Sequence, residues 1–309
     1  MVDGLLGGGE DPELARALAG GAIVSFPHTS LADAGPLQAR TVDALLRSGV
    51  ERVIALGVLH SGGVAPYRTA LDRSQSDEVR LAAYGEVVGG WLVPETGIDT
   101  PFGDLPTLEV PEEERVPVRL DRHGLLADEF SLDTFCALVK RAAALRDVRP
   151  PAILRLFVGP TRHPIDGSFA VAERLAGWVG SVVAADGRPA AIVTTGDLVH
   201  YGTAYGDPEA DPAERLAAME SRFRRTVERL LEAGLVDGDW AGAHRLASDV
   251  LRSDQRAILP VVSAILGPAR ARILHFELSD YSGILGVSPP CRVASVLSVY
   301  ERRDPARGH

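Results

Sequence analysis

Short apolar runs recur along this chain, and most are followed by a stretch with apolar residues at helical spacing. Ile23–Phe26, 53–59, 153–158 and Ala190–Thr195 are four such runs, short and apolar nearly throughout, as strands buried on both faces are. Over 37–48, Leu37, Val42, Leu45 and Leu46 share one helix face, and Gly49 stands where a helix stop is expected. Helical patterns return at 131–145, 168–179, 212–233, 240–252 and 254–266. Two late strands follow at 272–278 and 292–300. The first two strands, joined by one helix, form a right-handed crossover, which predicts parallel, adjacent strands opening at one edge.

Residues 62–122 break the alternation. They are rich in Gly, Pro and acid, include the run Glu112-Glu113-Glu114, and hold one short helical pattern at 77–88. Such a long insertion predicts a wall around a pocket. The whole pattern predicts α/β architecture: one catalytic domain over 21–301, with a central, mostly parallel sheet flanked by helices. A flexible segment over 1–20 precedes it, and a frayed tail over 302–309 follows.

Composition narrows the partners. The 309 residues are 46% hydrophobic and 24% charged, as in an ordinary globular protein, and carry a net charge of −10. That charge argues against nucleic acid and against an anionic membrane surface. No apolar run is long enough to span a bilayer, and the Gly-rich, acidic N-terminus lacks the features of a signal peptide. Cys136 and Cys291 are too few for a disulfide framework or a thiolate metal site. A cytoplasmic protein with reduced thiols is the expectation.

The candidate chemistry sits at strand ends. His28, His60 and His200 each fall just past a buried run, where open α/β sheets bind ligands. A lone histidine in such a loop is more often a hydrogen-bonding residue. Two of them at the ends of parallel strands favour a shared role as metal ligands or bases. In Gly196-Asp197-Leu198-Val199-His200-Tyr201-Gly202, a carboxylate precedes a histidine by three residues. On a helical turn both would share one face, which makes His200 an acid/base tuned by Asp197. The plain alternative is that Asp197 caps the next segment. Two histidines and a carboxylate form the non-haem Fe(II) facial triad. Asp254 is one carboxylate for it, yet the residues alone favour Ser253 or Asp254 as a helix N-cap, and Glu129, Asp128 and Glu277 compete. His123, His163, His244, His275 and His309 read as surface or core histidines. Dinucleotide, Walker A and Gly-x-Ser-x-Gly motifs are missing.

Several segments together resemble a known family. Pro27-His28-Thr29-Ser30 resembles Pro-His-Ala-Gly of the Memo-like proteins, relatives of the class III extradiol (LigB-type) dioxygenases. Val53–His60 resembles their strand ending Leu-Gly-Pro-Ser-His, Thr100–Leu105 their Thr-Pro-Leu-Gly-Asp, and Thr195–Gly202 their Ser-Ser-Asp-Phe-Ser-His-Tyr-Gly. Tyr281-Ser282-Gly283 looks like their late Tyr-x-x-Ser-Gly turn. The chain departs at Phe130, where Memo-like proteins carry a histidine, and at Asp254-Gln255-Arg256, where they carry Cys-Gly-Arg.

The resemblance implies a LigB/Memo-like fold and an Fe(II) dioxygenase. His28, His60 and Asp254 would be the metal ligands, His200 the catalytic acid/base with Asp197 beside it, and Phe130, Tyr201 and Glu129 the substrate contacts. Partners would be O2 and a small chelating substrate, such as a catechol, an aminophenol or an amino-acid-like compound. Arg155, Arg162 and Tyr201 are further candidates for a substrate carboxylate. A homodimer is common for such folds. The alternatives are a Memo-like metal- or peptide-binding protein without turnover, and a hydrolase using a zinc-activated water at the same residues.

Overall fold

A computed structural model describes residues 2–7, 10–60, 62–108, 110, 117–207 and 214–303. The chain opens with α1 (Val2–Leu6) and α2 (Pro12–Ala19), then β1 (Ile23–Phe26), α3 (Leu31–Arg47) and β2 (Arg52–Val58). The insertion carries α4 (Ala65–Ala70), α5 (Asp77–Val87), β3 (Gly90–Leu92), the β4 (Gly97–Ile98) and β5 (Leu105–Pro106) ribbon, and β6 (Val118–Leu120). Then follow α6 (Asp133–Leu145), β7 (Ala152–Val158), α7 (Ala170–Ala184), β8 (Ala190–Thr195) and β9 (His200–Gly202). The last part holds α8 (Leu216–Leu231), α9 (Trp240–Arg245), α10 (Ile258–Leu266), β10 (Ala269–Asp280), α11 (Ser282–Leu285) and β11 (Cys291–Arg302).

The predicted α/β class, with a central sheet flanked by helices, is the architecture observed. Nine strands form the sheet in the order β10-β11-β1-β8-β2-β7-β3-β6, with β9 paired to β11. The four central strands, β1, β8, β2 and β7, are parallel, while β11 and β3 flank them antiparallel. One expectation needs correction. β1 and β2 are parallel but not adjacent, because β8 lies between them and pairs with both. The crossover through α3 therefore skips one strand position. Residues 190–195, apolar on both faces, fill the slot.

Side chains alternate between two cores, as the period of a strand requires. On β2, Val53 and Ala55 pack toward α2, α3 and α6, with Leu18, Leu45 and Phe135. Ile54, Leu56 and Val58 pack on the other face, with Leu175 of α7, Val262 of α10 and Phe223 of α8. Phe26 of β1 stacks on Phe135 at 4.8 Å between ring centroids. Removing a buried phenyl of this kind costs about 3–5 kcal/mol. A sheet covered on both faces leaves its strand ends as the open surface.

The helix boundaries differ from the pattern for local reasons. α3 begins six residues before Leu37, because Ser30 caps it at the Asp33 amide and the helix tolerates Pro36 inside it. α8 starts at Leu216, two residues of the expected 212–233 helix, 214–215, being non-helical and 212–213 lying outside the described residues. α9 ends at Arg245 and runs into a π-helical turn, Leu246–Val250. A 3-10 turn, Asp254–Arg256, precedes α10. The run Glu112–Glu114 and the tail from 304 also lie outside the described residues.

Candidate metal centre

β1, β2 and β8 end side by side, and the residues that follow them turn toward one point. His28 lies two residues past β1, His60 two past β2 and Asp197 two past β8. The Nε2 atoms of His28 and His60 stand 3.3 Å apart. Asp254 brings its Oδ2 to 3.4 Å from His28 Nε2, and Asp197 Oδ2 stands 3.8 Å from the same atom.

Each histidine is held from behind. The His60 amide donates to Glu129 Oε2 at 2.7 Å, and its Nδ1 lies 2.9 Å from the same carboxylate. A carboxylate only accepts, so Nδ1 carries the proton and the Nε2 lone pair points at the cluster. His28 Nδ1 lies 3.2 Å from the Thr195 hydroxyl, and the His28 amide donates to Asp197 Oδ1. This carboxylate–histidine arrangement is how proteins orient metal-binding imidazoles.

The helix-cap question at Asp254 is resolved by its neighbour. Ser253 Oγ accepts from the Gln255 amide at 3.1 Å and also donates to the Asp197 carbonyl. The Asp254 amide donates to that carbonyl as well, at 3.0 Å. Ser253 is the cap, and the Asp254 side chain is left to the histidines.

His200 approaches from the other side. Its Nδ1 lies 2.8 Å from the Arg252 carbonyl, which fixes the proton there. Its Nε2 is left facing Asp254 Oδ2 at 3.8 Å. Arg252 is held at φ 50°, a left-handed conformation uncommon for any residue but glycine, and strain of this kind collects at functional sites.

The charges form one tight group. Burial pulls the His28 imidazole down, but Asp197, Asp254 and Glu129 outweigh it and raise it to about 9. Burial works against the Asp254 anion, yet His200, His28 and Arg256 hold its carboxyl well below the usual range. For Asp197 burial wins, with the Asp254 charge adding to it, and its carboxyl is pushed up despite His28 and His200.

The donor set fits a divalent cation. Ligand atoms around one ion at about 2.1 Å stand roughly 3.0–3.4 Å from one another, which matches the His28–His60 and His28–Asp254 separations. Among the described residues, however, the group whose ligand atoms all lie within 4.8 Å of one another is His28, Asp197 and Asp254; His60 approaches His28 but is not part of it.

Four expected roles are corrected. Asp197 and His200 do not share a helical turn, because residues 197–199 form an irregular bend and His200 opens β9; Asp197 sits against His28 instead. Tyr201 does not face the site. Alternation along β9 sends it into the core beside Phe223, with Arg222 over its ring, while Tyr205 is the ring beside His200 at 4.8 Å. Glu129 cannot touch a substrate, since its side chain is fully buried behind His60. Phe130 does remain at the site: it is 56% exposed and stacks on His60 at 4.8 Å. Arg155 is taken up by Glu95 and Asp133, which removes it as a carboxylate contact.

A cavity of about 290 Å³ opens beside the cluster, with Asp254 in its wall. It lies past the ends of β2 and β7 and is roofed by Val64, Tyr67, Arg68 and Leu71 of the insertion, which acts as the expected wall. Arg68 and Arg256 had no signal in the sequence pattern, because their convergence depends on how the insertion folds back.

Comparison with known proteins does not place the chain in a family. No family model matches it, and no curated protein matches it at a significant level. Among solved structures, the crystal structure of uncharacterized protein JW3007 from Escherichia coli K12 is similar, with a TM-score of 0.46 and 14% identity over 91% of this chain and 99% of that chain. Among the described residues, no helix is long and apolar enough to cross a membrane.

Proposed function

We propose that this chain is a cytoplasmic non-haem Fe(II) oxygenase that uses O2 on a small chelating substrate, with His28, His60 and Asp254 as its metal ligands. The observation that carries this reading is the meeting of two imidazole Nε2 atoms and a carboxylate at the ends of parallel strands, with His60 Nε2 3.3 Å and Asp254 Oδ2 3.4 Å from His28 Nε2. The resemblance to Memo-like and LigB-type proteins implies the same ligand set. Fe(II) bound there supplies redox chemistry toward O2 and open positions for a chelating substrate. The protein's own residues do the rest. Glu129 and Thr195 orient the imidazoles. His200, protonated at Nδ1 by its bond to the Arg252 carbonyl, offers Nε2 as the base that takes a proton from a substrate hydroxyl. Phe130, stacked on His60, supplies an aromatic wall.

The test is metal content and O2 uptake of protein purified without oxygen. Near-stoichiometric iron in the wild type and its loss in His60→Ala support the site. His200→Ala is expected to keep the metal and lose substrate-dependent O2 uptake. Retained iron in His60→Ala overturns the ligand assignment. Bound zinc with no O2 uptake for any chelating phenol transfers the site to the hydrolase reading, which the nearby second carboxylate, Asp197, favours.

A further inference from the structure

Three arginines stand around the cavity beside Asp254. Arg68 reaches it from α4, Arg162 from the loop after β7, and Arg256 from the 3-10 turn that carries Asp254. Acidic residues outnumber basic ones in this chain, 42 to 32, and several arginines elsewhere are ion-paired, as Arg155 is to Glu95 and Arg222 to Glu214. Among the described residues, however, no carboxylate lies within ion-pair distance of Arg68, Arg162 or Arg256. Arg68 donates weakly to the Leu59 carbonyl at 3.4 Å, and Arg256 donates to the Ser253 carbonyl at 2.8 Å. The one carboxylate in the cavity wall, Asp254, is directed at His28.

Arg162 is placed by its own loop. A turn closed by hydrogen bonds between His163 and Ser168, and between Gly167 and His163, brings Gly167 against the guanidinium. A Cβ on Gly167 would stand 2.7 Å from Arg162 Nη2, and the φ of +74° already demands glycine there. His244, in the same wall, senses the field: burial first, and then Arg162 and Arg256, hold its imidazole down at about 4. Two of the three guanidinium groups thus act on the His244 ring across the cavity. Leu59, Val64 and Leu71 line the remainder.

Three guanidinium groups here share one wall carboxylate, Asp254, so an incoming anion is favoured, and guanidinium groups pair with carboxylate or phosphate oxygens in a fork. The volume of about 290 Å³ lies at the small end of ligand pockets, roughly 300–1,000 Å³, and suits one ring rather than a dinucleotide. We propose that this cavity binds the oxyanion of the substrate, a carboxylate or phosphate on a single-ring or similar-sized body, and so directs its other end to the His28–His60–Asp254 cluster. The substrate is thus an anionic small molecule. As a statement about substrate this rests on the oxygenase reading; as a statement about binding it stands on the arginines.

The test uses the full-length protein, with and without a chelator, and three probes: benzoate, phenyl phosphate and uncharged benzyl alcohol. Calorimetric titration should show at least one anion binding about tenfold or more tighter than the alcohol, and weakening as salt is raised. The tighter of the two anions identifies the oxyanion as carboxylate or phosphate. Arg68→Ala/Arg162→Ala, and separately Arg256→Ala, should each reduce that binding by about tenfold or more while far-UV dichroism stays as in the wild type. Anions that bind no better than benzyl alcohol, or binding kept by both variants, overturn the proposal. Since binding is read without metal or turnover, missing iron or missing O2 uptake would fell the oxygenase reading alone.

Discussion

Each residue of the cluster is held by a partner far away in the chain, and the Glu129–His60 pair shows what such partners do. Glu129 fixes the Nδ1 proton of His60 and so sets which nitrogen faces the cluster. Glu129→Gln should keep the fold and weaken metal affinity by about 10–100-fold, as loss of such orienting groups does, and a competitive chelator titration reads this directly. The charges give a pH signature. In metal-free protein His28 titrates near 9, above its ordinary 6.5. Its stabilisation is therefore complete below 6.5 and is lost as pH rises through 9. Asp254, held low, acts in the opposite sense at the acid end, where its contribution disappears as the carboxylate is protonated. Melting of chelated protein should thus weaken from pH 6.5 to 9, whereas metal affinity should rise over the same range because the His28 proton must leave before a cation binds. A metal affinity that is flat with pH would mean His28 is not a ligand. His28 and His60 were legible in the sequence because a polar, metal-capable residue just past a buried strand has few structural uses. The Glu129 role was not legible, since nothing local marks a carboxylate 69 residues from the histidine it serves. Asp197 was legible as a site residue but not as the neighbour of His28.

Among the elements, β9 decides whether His200 reaches the cluster. This three-residue strand pairs with β11, His200 opposite Val293 and Gly202 opposite Cys291. Gly202 has φ +120°, and a Cβ built there would overlap the Pro290 carbonyl. Gly202→Ala should therefore separate β9 from β11, cost on the order of 1–3 kcal/mol in denaturant unfolding, and reduce turnover more than metal binding. Equal loss of both would show that β9 supports the whole centre rather than His200 alone. The strands were read well from sequence: Ile23–Phe26 and Ala190–Thr195 have the expected bounds. Their neighbours were not, because strand order depends on which buried run fills the gap left by α3, and several runs are equally apolar. Helix ends moved where a cap or a π turn overrode periodicity, as at Ser30 and Leu246–Val250.

For the molecule as a whole, one sheet serves as the floor of both cores, with Val53 and Ala55 on one side and Ile54 and Leu56 on the other. Neither core can come apart without exposing the strands that support the other, so calorimetric melting should give a single transition. Two resolved transitions would mean that the insertion over 62–122 melts independently. The position of β8 has a consequence for how the protein matures. Strands in a sheet are about 4.8 Å apart, so β1 and β2, one position removed, leave a gap of nearly 10 Å that only β8 closes. His28 and His60 are synthesised early, yet the strand that spaces them arrives with residues 190–195, and Asp254 later still. A growing chain thus carries both histidines for most of its synthesis without a centre to hold a cation. On the proposed reading, metal capture then has to wait for Asp254, and a loaded site would certify a finished sheet.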